Sequence, residues 1–182
     1  MLAFNQACYQ VRRAKASETS LIGYLRLASL LSLEIPNRSL AAIGAVMSRL
    51  PDVGPDLIEA GRYFVADHGG ELLGGAGWSV LPLRFRADHL IGEDGCAGRL
   101  SLGRGSVLVR GFFLDPDLGR RGAGASLMAR IEADAASAGF AAAELVVPAS
   151  SHIFYRGLGF RPIGRLGLDI GSGELLPLLQ MR

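Results

Sequence analysis

The residues whose types and spacing best suit chemistry are Gly119, Arg120, Arg121, Gly122, Ala123 and Gly124. They follow an apolar, β-favouring run made of Val107, Leu108, Val109, Phe112, Phe113 and Leu114. Asp115-Pro116 ends that run, because proline has no N–H and restricts the residue before it. Beyond the loop, Met128, Ile131, Ala135 and Ala138 recur at helical spacing from Gly124. Strand, turn, glycine-rich loop and helix start, in that order, make an anion site. The first helical turn leaves backbone N–H groups without partners and carries partial positive charge. Gly122 and Gly124 have no Cβ to keep a phosphate off that backbone, and Arg120 and Arg121 add charge beside it. The same spacing also serves an ordinary strand-to-helix turn, in which glycine supplies only tightness.

Acid–base groups are less well marked. Glu144, Glu71, Asp88 and His89 qualify as proton acceptors by type alone, and Asp115 is assigned to the turn. The three histidines, His68, His89 and His152, show no i,i+4 pair, so no metal site is expected. Cys8 and Cys96 belong to no metal or redox spacing, which predicts a reduced, cytoplasmic protein. Leu21 to Leu33 is apolar-rich, but Arg26 interrupts it and it is too short to span a bilayer. The N-terminus carries no basic-then-apolar signal segment. The 182 residues suit one domain, 1–182, and 49% hydrophobic content is enough for a proper core. A net charge of +2 is too small to imply a nucleic-acid partner.

The elements that must position these residues follow from periodicity and breakers. Cys8 to Ala14 reads as a first strand. Ser17 offers an N-cap to a helix from Ser20 to Leu33, with Leu21, Tyr24, Leu25 and Ala28 on one face. Ser39 to Leu50 reads as a second helix with the stripe Leu40, Ile43, Val46, Met47 and Leu50, and a short helix fits Asp56 to Ala60. Arg62 to Asp67 and Glu71 to Val80 form a hairpin about His68-Gly69-Gly70. Gly74, Gly75 and Gly77 in the return strand mark a bulge or a close backbone approach, and Trp78 belongs to the core or a pocket wall. Leu81 to Ser106 reads as irregular: a substrate-side flap, a dimer contact or an extended hairpin tip. The helix from Ala123 ends at Gly139. Phe140 to Val147 is the next strand, followed by a short helix from Ser151 to Leu158 that Ser150 or Ser151 caps and Gly159 closes. Phe160 to Ile170 and Glu174 to Met181 finish the chain as two strands. The sum is a mixed α/β fold: one twisted sheet of about seven strands flanked on both faces by about four helices.

These residues resemble the GNAT superfamily of acyl-CoA-dependent N-acetyltransferases. The family's phosphate motif, Arg/Gln-x-x-Gly-x-Gly/Ala after a strand and a proline turn, matches Gly119 to Gly124, with Gly119 replacing the usual Arg or Gln. A second motif, ending Phe-Tyr-x-x-Leu-Gly-Phe, matches Phe154 to Phe160. The V-R-R-A segment and the GGAGWS hairpin look like the family's first and third strands.

The resemblance implies acetyl-CoA held between two splayed parallel strands, Val107 to Leu114 and Ala141 to Val147. Its pantetheine amides would pair with the backbone of Phe112, Phe113 and Leu114, and its pyrophosphate would sit on Gly119 to Gly124, with Ser150 as a further cofactor contact. The implied reaction is direct attack of a primary amine on the thioester. Tyr155 stands at the family's position for the acid that protonates the leaving thiolate, and a phenol with a reference pKa of about 10 suits that task at neutral pH. In the other reading Tyr155 is a packing aromatic that orients the sulfur. His152, one turn earlier, lies either in the same cleft or at the surface. Two alternatives stand beside the acetyltransferase: an acyl-CoA-binding module without turnover, and an acyltransferase for longer acyl chains, for which the glycines of Glu71 to Val80 leave room. The resemblance allows a homodimer and leaves the acceptor unspecified.

Overall fold

The computed structural model describes residues 9–34, 49, 55–80, 89–93, 95, 100–115, 122–171 and 173–182. Within them the chain forms eight strands and four α-helices: β1 (Gln10–Arg13), α1 (Thr19–Glu34), α2 (Pro55–Glu59), β2 (Tyr63–His68), β3 (Glu71–Ser79), β4 (Leu90–Gly92), β5 (Ser106–Leu114), α3 (Ala123–Ser137), β6 (Ala142–Pro148), α4 (His152–Gly157), β7 (Pro162–Gly171) and β8 (Glu174–Met181). The strands join in one sheet in the order β1-β2-β3-β5-β6-β8-β7-β4. Only β5 and β6 pair in parallel among the described strands, and α3 is the crossover such a pair needs.

Both faces of the sheet are covered. On one, Leu127, Met128, Ile131 and Ala135 of α3 pack with Phe64, Ala66, Trp78, Val107, Val109, Leu145 and Val147, and Tyr155 and Phe160 join the same cluster. On the other, Ile22 of α1 and Leu57 and Ile58 of α2 pack with Tyr63, Val65, Leu72 and Phe113. Alternate residues of β2 feed opposite cores, as a strand buried on both faces requires.

Several expectations are corrected. The buried face of α1 runs through Ile22, Leu25 and Ser29, whereas Leu21 and Tyr24 are exposed, 45% and 67%. That stretch is apolar on more than one face, so periodicity alone selects no unique side. Ser17 lies inside a 3-10 turn, Ala16–Glu18, and the cap comes from Glu18, whose carboxylate accepts the Lys15 N–H at 2.8 Å. Strand β4 falls in a stretch read as irregular; it is three residues long and exists by pairing with β7, Leu90 opposite Leu168. Ala138 lies past the end of α3 and is exposed. The helix from Ser39 to Leu50 with its stripe lies outside the described residues, Arg49 excepted, and so do residues 81–88 of the irregular stretch.

Candidate active site

Strand β5 carries one residue too many. Opposite it, Gly75 and Gly77 of β3 face Phe113 and Arg110, so two residues, Gly111 and Phe112, oppose the single Ala76. This is a β-bulge, and Gly111 adopts φ +62°, a left-handed conformation that side chains disfavour. The bulge shifts the alternation of the strand. Val107 and Val109 face the α3 core, as do Phe112 and Leu114 beyond the bulge, while Phe113 turns into the α1–α2 core.

The bulge sits where the sheet forks. β5 and β6 pair at Ser106–Ala142, Val107–Ala143 and Leu108–Glu144, and there the pairing ends. From Leu145 to Pro148, β6 pairs with β8 instead, while β5 continues along β3 to Leu114. Asp115 N–H donates to Leu73 C=O at 2.9 Å. Strand alternation therefore turns the backbone groups of Leu114 and Phe112 away from β3, toward the gap. The splayed pair expected from the resemblance is present.

One end of the gap is capped by the start of α3. Gly122 is the N-cap, in a left-handed conformation at φ +83°. The first helical bond runs from Ser126 N–H to Gly122 C=O, so the N–H groups of Ala123, Gly124 and Ala125 precede the helical ladder. Gly122 and Gly124 do different jobs. A Cβ on Gly124 would lie 2.8 Å from Phe154 Cζ and 3.0 Å from Leu114 Cδ1. Its missing side chain thus serves the packing of α3 against α4 and β5, not open access for an anion. Gly122 is exposed, and a Cβ there would meet only the Tyr9 hydroxyl at 3.5 Å. Gly119, Arg120 and Arg121 lie outside the described residues.

The gap is walled by aromatic rings. Tyr155, on α4, is 5% exposed. Its ring is 5.6 Å from Phe112, 5.0 Å from Phe154 and 6.4 Å from Phe160. The second sequence motif has a plain mechanical meaning here. Phe160 N–H donates to Tyr155 C=O at 3.1 Å and Gly159 N–H to Arg156 C=O at 3.0 Å, closing α4 directly beneath Tyr155. Tyr155, Phe112, Leu114, Gly122 and Gly124 thus converge, and Ser150 lies exposed in the 3-10 turn between β6 and α4. Ser151 holds the N-cap position of α4, without a capping side-chain bond.

The acid–base candidates scatter. Glu144 has no exposed side-chain surface; its Oε1 accepts Gly103 N–H at 2.8 Å, its Oε2 accepts Gln180 Nε2 at 2.9 Å, and Arg182 lies 4.0 Å away. It ties the fork to the loop before β5 and to β8, a structural role that type alone did not reveal. Glu71 is exposed at the hairpin, opposite His68. His89 precedes β4 at the far edge of the sheet. Asp88 is outside the described residues. His152 opens α4 with Nδ1 2.8 Å from Ala149 C=O; a carbonyl only accepts, so Nδ1 carries the proton. Among the described residues no group of three His, Cys, Asp or Glu side chains could hold a metal, and no helix is long and apolar enough to cross a membrane.

Two features escaped the sequence reading. Gly111, a glycine inside an apolar strand run, was the available sign of the bulge. Tyr63 gave no local sign. The β3 glycines answer to close approach: a Cβ on Gly74 would lie 2.7 Å from Phe113 O, one on Gly75 2.8 Å from the Phe113 ring, and one on Gly77 2.6 Å from the Tyr63 ring. The room they seemed to leave for a longer acyl chain is already filled.

Solved structures share this architecture. PaiA N-acetyltransferase from Thermoplasma acidophilum, in complex with coenzyme A, superposes with a TM-score of 0.65 at 12% identity, covering 96% of this chain and 98% of the other. A GCN5-related N-acetyltransferase from Rhodopseudomonas palustris gives 0.67 at 16% identity, with 99% and 98% covered. YncA from Salmonella typhimurium, solved with its cofactor acetyl-CoA, gives 0.60 at 17% identity, with 95% and 91% covered. No curated protein sequence matches the chain significantly. The model of the acetyltransferase (GNAT) family matches residues 27–160, and the chain, with its forked sheet and bulged β5, belongs to that family.

Proposed function

We propose that the protein transfers an acetyl group from acetyl-CoA to a primary amine, and that the fork between β5 and β6 receives the donor. The observation that carries this reading is the end of pairing at Leu108 and Glu144, which leaves an edge of β5 open beside the start of α3. The residues present fit the donor. Backbone groups of Phe112 and Leu114 face the gap and would pair with the pantetheine amides as an added strand does, with Phe113 contributing packing behind them. The N–H groups of Gly122, Ala123 and Gly124, with Gly119, Arg120 and Arg121 before them, would receive the pyrophosphate, and Ser150 would flank the arm.

In the reaction, the amine nitrogen attacks the thioester carbonyl, a C–N bond forms and the C–S bond breaks. The Tyr155 phenol gives its proton to the departing thiolate, and the ammonium proton leaves through water. Buried among Phe112, Phe154 and Phe160, the phenol is held in a fixed direction. Glu144, engaged by Gly103 and Gln180, takes no proton in this scheme. The proposal places the enzyme in the cytoplasm, supported by two cysteines, Cys8 and Cys96, that belong to no metal or redox spacing. Free-thiol release from acetyl-CoA against a panel of amines, with controls lacking acceptor, tests it. Acceptor-dependent thiol release is expected. Binding without release would make the protein an acyl-CoA-binding module, and a melting temperature unmoved by saturating acetyl-CoA would remove both readings.

A further inference from the structure

Tyr63 reaches across a strand. It pairs with Gly77 on the neighbouring β3, and its ring lies over the face of β3 where Gly77 and Gly75 carry no side chains. A Cβ on Gly77 would stand 2.6 Å from its Cδ2, and one on Gly75 2.9 Å from its hydroxyl. Through that trough the hydroxyl donates to Gly111 C=O on β5 at 2.7 Å. The acceptor is the carbonyl of the bulge residue itself. Tyr63 has no exposed surface, and burial pushes its phenol well above the ordinary tyrosine value, which keeps it a proton donor at working pH.

We propose that Tyr63 is a positioning residue for the acyl donor: a latch from β2 that holds the Gly111 bulge open, so that the backbone of Phe112 and Leu114 keeps facing the fork. The inference rests on the proposed use of that backbone to bind acetyl-CoA. The physical case is one of competing strand geometries. Without a bulge, β5 would resume regular pairing with β3, and every residue after Arg110 would exchange faces. Phe112 would leave the Tyr155 cluster and Phe113 would enter it. A left-handed Gly111 permits the bulge, but glycine adopts either sign of φ readily. The Tyr63 bond favours one of the two. Gly75 and Gly77 belong to the same device, because a side chain on either would occupy the path of the phenol.

The test compares Tyr63→Phe, which keeps the ring and removes the bond, with Ile58→Val, a core change of similar modest stability cost on α2. Acetyl-CoA affinity is measured by calorimetry, together with amide exchange at Gly111 to Leu114. Tyr63→Phe should weaken affinity about five- to tenfold, the worth of one buried hydrogen bond. It should speed exchange at those four residues, and raise KM for acetyl-CoA with little change in kcat. Ile58→Val should do none of these. Unchanged affinity in Tyr63→Phe, or equal weakening in both variants, overturns the latch. Failure of the wild-type protein to bind acetyl-CoA overturns the functional reading instead. In the wild-type protein the Tyr63 hydroxyl proton should exchange slowly enough to be resolved by NMR and show a contact to the Phe112 amide. Its absence overturns the latch even if Tyr63→Phe does not fold.

Discussion

Strands β7 and β8 stay paired from Pro162–Met181 to Gly171–Glu174, whereas β5 and β6 pair at three positions and then separate. Both pairs include strands with internal glycines and both lie next to register irregularities, so irregularity alone does not open a sheet. The difference lies in whether the ladder resumes. In the β7–β8 hairpin the ladder resumes after each irregularity. At the fork, each lip is already held from behind, β5 by β3 and β6 by β8. The sheet is therefore two well-paired halves that share three rungs, and the cost of unpaired backbone is confined to the gap. The α3 core bridges the halves, since Val109 and Val147 belong to one cluster with Leu127 and Ile131.

That contrast is broken most severely by Gly111→Val. A β-branched residue at φ +62° costs about 1–3 kcal/mol in strain and would pull β5 back to regular alternation. The expected result is loss of acetyl-CoA binding by calorimetry, along with a lower urea midpoint. The matched change at the hairpin is Gly171→Val, at φ +97° with nothing within 4 Å of its added Cβ. It should lower the midpoint by a similar amount and leave binding intact. Equal loss of binding in both variants would mean that the fork and the hairpin do not differ in function. Tyr155→Phe probes the chemistry in the gap. Steady-state turnover should fall about 10²-fold or more while acetyl-CoA affinity holds, as for loss of a general acid. Unchanged turnover across pH would reduce Tyr155 to packing.

The sequence makes the order and type of most elements legible, because their signals are local: Gly139 and Gly159 end helices, and Gly69-Gly70 turns a hairpin. The cleft is legible through two motifs that each stop at a helix boundary. What escapes is long-range. The bulge needs the β3 partner to be seen, Tyr63 acts on a residue 48 positions away, and β4 exists only through β7. The buried face of α1 is set by α2 and β5, not by its own pattern. Glu144 looked like a proton acceptor because the groups that occupy it, Gly103 and Gln180, lie 41 and 36 residues distant.

Glu144 also marks the last shared rung of the fork, so Glu144→Ala tests whether the two halves depend on it. Removing the carboxylate strands the Gly103 and Gln180 donors, at a cost of about 2–3 kcal/mol in a urea titration. A cost near zero would show the junction to be held by α3 alone.

The smallest effect is expected at the β1 edge, two strands beyond β3, where an ionic clamp adds to the packing of Val11. Arg12 donates to Asp67 at 2.8 Å and to Glu18 at 2.6 Å. The Gly70 N–H first, and then Arg12, hold the Asp67 carboxyl below its ordinary range; for Glu18 the Arg12 bond is the leading cause. Both groups bind protons more weakly folded than unfolded. Their contribution is therefore complete above the unfolded value of about 4 and disappears as pH falls through the lower folded values. Asp169 at the β7–β8 hairpin is shifted the same way, chiefly by Gly171 N–H, so a single acid titration mixes the two regions. The difference between wild type and Asp67→Asn separates them, because Asp169 is common to both. The variant should lose a few tenths of a kcal/mol to about 1 kcal/mol at pH 7 and converge on wild type once pH has fallen through the lowered folded value of Asp67. A constant difference across that range would mean that Asp67 acts by shape and not by charge, and that the β1 edge is held as the β7–β8 hairpin is, by its backbone ladder.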